Sequence, residues 1–360
     1  MSALVRRKST QFVVAVALTG LALTGCGKSE SSGSSGSTDS KAGAQVVKPA
    51  DENGPTCDLK QYGAKKIDLK NAVVGFSQSE KEDNPFRIAE TKSITDEAEK
   101  VGVKKFIHTN AQTQLSKQIS DINDMLAQGV QVLIVAPLNS DGLAPALKAA
   151  KAKGVPVLTV DRKLNGGACS DYVAFLGSNF TEQGKRAADQ LIKGTGGKGK
   201  VAVLLGASGN NVTTERTKGF VDEIKSSAPG LKVVAQQTGD FARDKGQQVT
   251  EQLLQANPDI DAIYAENDEM ALGAVTAVTS AGKTPGKDVK IVSVDGTRNA
   301  VQGIVDGRLN AVIESNPRFG PLAFDVAEKF LSGTDARENV IIKDRQYDSS
   351  NAKADVDSAY

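Results

Sequence analysis

Short apolar runs recur from residue 72 onwards, and they constrain the fold of this chain more than any other feature of its sequence. Continuous apolar runs bounded by Gly and Pro are typical of strands buried on both faces. Segments with helical spacing separate them, and regular strand–helix alternation indicates parallel sheets with right-handed crossovers. We therefore predict an α/β protein with two doubly wound parallel sheets of about five strands each. The predicted strands lie at 72–76, 103–107, 132–136, 155–160, 173–176, 201–205, 231–235, 262–265, 289–294 and 311–313.

Length and charge narrow the classes of function. The segment from about 57 to 360 is longer than one hydrophobic core usually holds, so two domains are expected. Without Arg6, Arg7 and Lys8 the chain has 41 basic and 43 acidic residues, so no basic face for nucleic acid is predicted. Residues 194–200 match a phosphate-binding loop up to its last position, where Val201 replaces the Ser or Thr that would hold Mg²⁺. No cofactor and no metal site are expected.

Polar side chains recur just after the predicted strands, at the sheet edge where ligands bind in such folds. Carboxylates, amides and guanidiniums can bind the neighbouring hydroxyls of a sugar, and an aromatic ring can cover its C–H face. Any single one of these residues could instead cap a helix, for which Asp and Asn are favoured. The candidate ligand-binding residues are Asn84, Phe86, Arg87, Glu90, Asp161, Arg162, Asn179, Arg216, Asp240, Phe241, Asn267, Asp295 and Ser315.

Four motifs carry a resemblance to a known family. They are Asn-Pro-Phe at 84–86, Val-Asp-Arg at 160–162, Glu-Asn-Asp-Glu-Met-Ala-Leu-Gly-Ala at 266–274 and Val-Asp-Gly at 294–296. Together, over about residues 70 to 355, the chain resembles the type I periplasmic sugar-binding proteins, the ribose-binding-like solute receptors of ABC importers. It is most similar to their galactofuranose-binding branch, which has an Arg at the position of Arg87, where ribose binders have a second Phe. It departs from that branch at Phe86, where the branch has Trp, and at Asn179, where it has Asp.

The resemblance implies two similar lobes joined by three crossover segments, with the ligand in the cleft between them. Lobe one would comprise 70–177 plus 316–335, and lobe two 180–314 plus 336–360. It also implies a monomeric receptor, not an enzyme, that captures a monosaccharide such as galactofuranose or a related pentose or hexose. Hinge closure around the sugar would then present it to an ABC permease.

Two other functions stay open at this stage. The same fold could serve as a sensor that feeds a membrane signalling receptor. An exported glycan-processing enzyme would need two carboxylates at a set separation, for which Asp240 and Asp295 are candidates.

The N-terminal segment predicts export. A basic stretch precedes an apolar run at 12–23 that is typical of a secretory signal and short for a membrane span. The Leu-Thr-Gly-Cys sequence at 23–26 is similar to the lipobox of bacterial lipoproteins. The resemblance implies a signal peptide at 1–25 and a lipidated Cys26, which would anchor the protein to the outer side of the cell membrane. A signal anchor with an incidental Cys is the alternative. Residues 26–56, rich in Ser, Gly and Lys, predict a disordered linker.

Two pairings remain open from the sequence alone. Cys57 and Cys169 could form a disulfide in an oxidising compartment, or both could be separate buried thiols. Arg87 and Glu90 are spaced so that Glu90 could orient Arg87 or accept a sugar hydroxyl, or the two could form a solvated ion pair of little energetic value.

Overall fold

The computed structural model of the chain describes residues 47–360, which form thirteen strands and eleven α-helices. The signal peptide predicted at 1–25, the lipidation predicted at Cys26 and the linker up to residue 46 lie outside the described residues. The strands are β1 (Pro49–Cys57), β2 (Val73–Gln78), β3 (Lys105–Asn110), β4 (Val132–Val135), β5 (Val157–Val160), β6 (Ala174–Gly177), β7 (Lys198–Leu205), β8 (Gly230–Thr238), β9 (Ala262–Ala265), β10 (Lys290–Asp295), β11 (Ala311–Glu314), β12 (Ala336–Ile342) and β13 (Gln346–Asp348). The helices are α1 (Leu59–Tyr62), α2 (Pro85–Val101), α3 (Leu115–Ala127), α4 (Ala144–Ala152), α5 (Phe180–Thr195), α6 (Asn211–Ser227), α7 (Arg243–Ala256), α8 (Asp268–Ser280), α9 (Arg298–Val305), α10 (Gly320–Ser332) and α11 (Ala352–Asp355).

The first sheet has seven strands in the order β1-β12-β6-β5-β4-β2-β3. Its strands are parallel except for β1, which runs antiparallel to β12. Helices α2 and α10 pack on one face of this sheet, and α3 and α4 pack on the other. Strands β4, β5 and β6 are therefore buried on both faces, which is why they read as continuous apolar runs.

The second sheet has six strands in the order β13-β11-β10-β9-β7-β8, and only β13 is antiparallel to its neighbour. Helices α5 and α6 cover one face, and α7, α8 and α9 cover the other. All ten strands predicted from the sequence are present, and the predicted fold class of two doubly wound lobes is confirmed. Within residues 47–360, no helix combines the length and the apolar character needed to cross a bilayer.

Two predicted domain boundaries are wrong. The predicted disordered linker at 26–56 overlaps β1. This strand pairs with β12 along its length, up to Cys57, which lies opposite Ala336. The segment at 336–342 was predicted in lobe two, but as β12 it pairs with β6 of the first sheet. Its apolar residues Val340 and Ile342 are buried in the core of that sheet, so lobe one continues to residue 342.

The chain crosses between the two sheets three times within the described residues. The crossovers are short: 178–179 joins β6 to α5, 315–319 joins β11 to α10, and 343–345 joins β12 to β13. A few residues that link two separately packed sheets are the usual form of a hinge.

Cys57 and Cys169 form a disulfide, with their Cα atoms 5.1 Å apart. The sequence allowed either a disulfide or two separate buried thiols, and the structure has the disulfide. The bond joins the end of the edge strand β1 to the loop between β5 and β6, across 112 residues of sequence.

Removing this disulfide should destabilise the protein. We expect the Cys57→Ser/Cys169→Ser double variant to lose about 2–4 kcal/mol of unfolding free energy, because a bond that closes so long a loop restricts the unfolded chain. Urea denaturation of the oxidised protein, the reduced protein and the double variant measures this. The single variant Cys57→Ser should match the double variant, and equal midpoints for oxidised and reduced protein would contradict the prediction.

Candidate functional site

The carboxyl ends of strands from both sheets face one another, and a small cavity lies between them. Lobe one lines it with the loop after β2, the start of α2 and the turn after β5. Lobe two lines it with α6, the turns after β8 and β9, and the end of β10. Such edges are where open α/β sheets bind ligands. The lining residues are Glu80, Asn84, Phe86, Arg87, Asp161, Arg162, Val212, Arg216, Phe241, Asn267 and Asp295.

In lobe one, the guanidinium of Arg87 is buried against three carboxylates. Its Nε lies 3.1 Å from Glu80 Oε2, and its Nη1 lies 2.8 Å from both Glu90 Oε2 and Asp161 Oδ2. The helix that carries it starts here because Asn84 Oδ1 accepts a hydrogen bond of 3.0 Å from the Arg87 amide, as an N-cap residue does. Arg87 is therefore fixed by its side chain and by the start of its helix.

Glu80 also holds the second guanidinium of lobe one. Arg162 Nη2 donates to Glu80 Oε1 at 2.5 Å, and Arg162 Nη1 donates to the carbonyl oxygen of Leu138 at 3.0 Å. Arg162 Nε is buried without a hydrogen-bond partner among the described residues and lies 3.7 Å from Asp161 Oδ2. A single carboxylate thus bridges Arg87 and Arg162.

Burial and pairing set the protonation of these carboxyls. Burial alone would raise the pKa of Glu80, but the charges and hydrogen bonds of Arg162 and Arg87 outweigh it and hold the pKa at about 2. For Glu90, burial outweighs the attraction of Arg87 and raises the pKa to about 7. The alternative of a solvated Arg87–Glu90 pair is wrong, because the two side chains are only 3% and 0% exposed.

In lobe two, Arg216 of α6 is the central charge. Its Nε donates to Gln183 Oε1 at 2.9 Å and its Nη1 to the carbonyl oxygen of Glu266 at 2.6 Å. This contact needs α5 and α6 to pack closely, since a Cβ at Gly184 would lie 2.1 Å from the Arg216 carbonyl oxygen. Arg216 Nη2 lies 3.8 Å from Asp295 Oδ1, too far for a hydrogen bond. Burial raises the pKa of Asp295 well above its ordinary value, against the opposing charge of Arg216.

Three cavity residues have backbone conformations that are unusual for residues other than Gly. The φ angles are 62° at Asp161, 61° at Phe241 and 137° at Asp295. The turn that follows β10 is held by Asp268, whose Oδ2 accepts the backbone amide of Thr297 at 2.7 Å. Such strain persists where the surrounding structure fixes it, often at functional sites.

Each lobe presents one aromatic ring to the cavity, Phe86 from lobe one and Phe241 from lobe two. The ring of Phe241 lies so close to Gly206 that a Cβ there would be 2.0 Å from its Cζ. Asn267 Nδ2 donates to the Phe241 carbonyl oxygen at 3.1 Å, and the Arg162 Cζ lies 5.9 Å from the centre of the Phe241 ring. The cavity therefore combines charged groups with two apolar faces.

The lobes touch at the rim of this cavity. The backbone amide of Ser140 in lobe one donates to the carbonyl oxygen of Gly209 in lobe two at 3.0 Å. The amide of Lys163 donates to Asn211 Oδ1 across the same cleft at 2.9 Å. The structure therefore has the lobes closed over the cavity.

Nine of the thirteen candidate binding residues line the cavity, and four do not. Glu90 lies behind the lobe-one guanidinium and is fully buried. Asn179 is exposed and caps α5, so the capping interpretation applies to it. Asp240 is exposed and pairs with Lys245. Ser315 is buried in the second crossover, where its amide donates to the Asp295 carbonyl oxygen at 2.8 Å.

Two lining residues are absent from the sequence prediction. Glu80 follows β2 by two positions. Had every polar residue just after a predicted strand been taken as a candidate, Glu80 would have been included. Val212 is apolar, and its only signal is that it precedes Arg216 by four residues on α6 and so shares its face. Among residues 47–360, no group of three or more His, Cys, Asp or Glu side chains is placed to hold a metal ion.

A buried carboxyl connects the crossovers to the cavity. Asp344, in the third crossover, accepts from Gln183 Nε2 at 2.8 Å and, at 3.4 Å, from the backbone amide of Asn316 in the second crossover. The same Gln183 accepts from Arg216 through its Oε1. Burial raises the pKa of Asp344 to about 6, partly opposed by the hydrogen bond from Gln183.

Two mostly parallel sheets, three short crossovers and a polar cavity under closed lobes define a two-lobe ligand-binding protein. Residues 74–335 match the family model described as a periplasmic binding protein domain. The chain is 38% identical to the ribose import binding protein of Bacillus subtilis over 272 residues, which covers 75% of this chain and 85% of that protein. It is 36% identical to the galactofuranose-binding protein YtfQ of Escherichia coli over 290 residues, covering 79% and 90%. The arabinose-transporter binding protein of Shewanella sp. ANA-3, solved with L-arabinofuranose, superposes with a TM-score of 0.76 at 34% identity, covering 79% and 94%.

The chain therefore belongs to the periplasmic binding protein family, and the resemblance seen in its sequence is confirmed. Membership implies a binding protein of transport, not an enzyme, acting outside the cytoplasm.

The raised pKa of Asp344 predicts a pH-dependent stability. The carboxyl is neutral more readily in the folded protein than in the unfolded chain, where its pKa is about 4. Its stabilising effect is therefore fully present below about pH 4 and is lost as the pH rises through 6. Asp344→Asn mimics the neutral form. We therefore expect its free energy of unfolding to rise by roughly 2–3 kcal/mol relative to that of the wild type as the pH is raised from 4 to 7.

Urea denaturation of both proteins at several pH values measures this difference. Asp325→Asn is the matched control, because Asp325 is exposed and pairs with Lys329 on the surface of α10. A constant difference between Asp344→Asn and wild type across this range would contradict the assignment.

Proposed function

We propose that the protein is a lipid-anchored receptor that captures a monosaccharide between its two lobes and delivers it to an ABC permease. The observation that carries this proposal is the cavity itself, where three guanidiniums, three carboxylates and two phenyl rings from both lobes converge. Paired donors and acceptors suit sugar hydroxyls, each of which donates one hydrogen bond and accepts others. The rings suit the C–H face of a sugar.

A furanose is the proposed ligand. YtfQ is named for galactofuranose, and the Shewanella protein was solved with arabinofuranose. Arg87 adds a donor fork beside Phe86, where ribose binders have a second ring. Exchange of an apolar wall for a guanidinium favours a ligand with more hydroxyls, such as a hexofuranose with its exocyclic diol. A preference for galactofuranose or a related furanose over ribose follows.

Transport rather than sensing is proposed because two of the matched proteins are named for import or for a transporter. Closure is the signal that a permease would recognise, since the contacts from Ser140 and Lys163 to lobe two form only when the lobes meet. The ligand shifts the population toward this closed form by binding it more tightly than the open form.

Sugar binding and its dependence on Asp161 test the proposal. We expect calorimetry of the purified protein to detect binding of L-arabinose or D-galactose, equilibrated so that furanose forms are present, more tightly than D-ribose. Asp161→Asn should weaken that binding at least tenfold, because a charge-assisted hydrogen bond contributes about 1.5–3 kcal/mol. Asn tolerates the left-handed backbone at this position, so the fold should persist.

Asp141→Asn is the matched control, because Asp141 is an exposed carboxylate of lobe one that does not line the cavity. Equal affinities for the two variants would remove Asp161 from the site. Tighter binding of D-ribose than of any other sugar would leave the receptor proposal standing and end the furanose proposal.

Membrane attachment depends on Cys26 if the lipobox is functional. In a bacterial host, we expect the full chain to fractionate with membranes and to dissolve only in detergent. Cys26→Ser should then appear in the soluble fraction, because one lipid chain or more is lost from the mature N-terminus. A Cys26→Ser variant that stays with the membrane would instead indicate the signal anchor.

A further inference from the structure

Glu80 has a position in the cavity that no other carboxylate shares. It lies in the loop between β2 and α2, and its two oxygens face different guanidiniums, Oε1 that of Arg162 and Oε2 that of Arg87. Its side chain is 15% exposed and lines both the cavity and the wider opening toward solvent. A ligand that enters the cleft therefore passes the carboxylate that neutralises both arginines of lobe one.

Glu80 contributes a negative charge to a cavity lining that holds three guanidiniums. The lining guanidiniums are Arg87, Arg162 and Arg216, and the lining carboxylates are Glu80, Asp161 and Asp295. The charges of Arg162 and Arg87 keep Glu80 ionised at any physiological pH. Without Glu80 the lining would therefore carry one more unit of positive charge.

That excess would fall on Arg162. Arg87 would keep two carboxylates, Glu90 and Asp161, each 2.8 Å from its Nη1. Arg162 would keep only backbone carbonyl oxygens and the distant Asp161 oxygen at 3.7 Å, and its Nε is already without a partner. A buried guanidinium without a paired carboxylate binds an added carboxylate or phosphate strongly, often through two parallel hydrogen bonds.

We propose that Glu80 sets the charge selectivity of the site, so that it accepts neutral sugars and rejects sugar acids. This inference rests on the proposed function as a sugar receptor. The carboxylate of a uronic acid would meet Glu80 at the entrance and would find both guanidiniums of lobe one already paired. A neutral sugar needs no free guanidinium, since its hydroxyls can share the donors and acceptors that are in place.

Glu80→Gln tests the inference because it removes the charge and keeps the shape. The probes are D-galactose and L-arabinose as neutral sugars and D-galacturonate as the acid. We expect the wild type to prefer the neutral sugars, and Glu80→Gln to shift the ratio of affinities toward D-galacturonate by at least tenfold. The affinity of the variant for D-galacturonate should fall between 20 and 200 mM salt, whereas binding of neutral sugar should not.

Two further variants complete the experiment. Glu82→Gln is the matched control, because Glu82 lies two residues away in the same loop, contacts His108 and Asn110, and lines no part of the cavity. It should behave as wild type. Glu80→Asp should retain the preference for neutral sugars, because it keeps the charge. If Glu80→Gln does not fold, Glu80→Ala replaces it, with the same expected shift and without an amide that faces two guanidiniums.

The outcomes separate this inference from the proposed function. Equal weakening of Glu80→Gln for all three probes would overturn charge selectivity and leave the sugar receptor intact. Wild-type binding of D-galacturonate as tight as that of D-galactose would do the same. A wild type that binds none of a panel of pentoses, hexoses and inositols would overturn the receptor proposal, and the inference with it.

Discussion

The rest of the cavity depends on the pairing of the buried Arg87 guanidinium with carboxyl groups. A charge removed from water is stable only if it is paired, and removal of one partner of a buried pair is strongly destabilising. Arg87 meets Glu80, Glu90 and Asp161, which belong to the loop after β2, to α2 and to the turn after β5. Three segments of lobe one are thus held in one arrangement by protein contacts alone. Lobe one presents its half of the site already organised, which reduces the ordering cost of binding.

Lobe two is organised differently, and its half of the site is tied to the hinge. Arg216 uses two of its nitrogens on Gln183 and on the Glu266 carbonyl, and its third lies 3.8 Å from Asp295. Through Gln183 the same arginine is linked to Asp344 in the third crossover. The residue that orients Arg216 is thus hydrogen-bonded to a crossover between the two lobes.

The features predicted from the sequence are those with a local physical cause. Strands β4 and β5 are buried on both faces, so their continuous apolar runs predict them. Edge strand β1 has the sequence of a linker, and its contacts are with distant residues, through its pairing with β12 and the Cys57–Cys169 bond, which no local pattern reveals. Asp161 could be placed in the cavity because it directly follows a buried strand. Asp240 also follows a strand, but its side chain turns toward Lys245 and solvent. That direction depends on the backbone conformation of the turn, which the sequence pattern does not show.

The placement of Asp240 also bears on what the cavity does. A glycosidase needs two carboxyls flanking one bond, one of them free to transfer a proton. Asp240 lies outside the cavity lining, so of the two carboxyls predicted for such an enzyme only Asp295 lines the cavity. The other lining carboxylates, Glu80 and Asp161, lie within 3.1 Å of guanidinium nitrogens. Groups engaged in this way are suited to bind hydroxyls rather than to transfer protons. Because residues of both lobes line the cavity, a ligand contacts both sets only when the lobes meet, and part of the free energy of binding then stabilises the closed form.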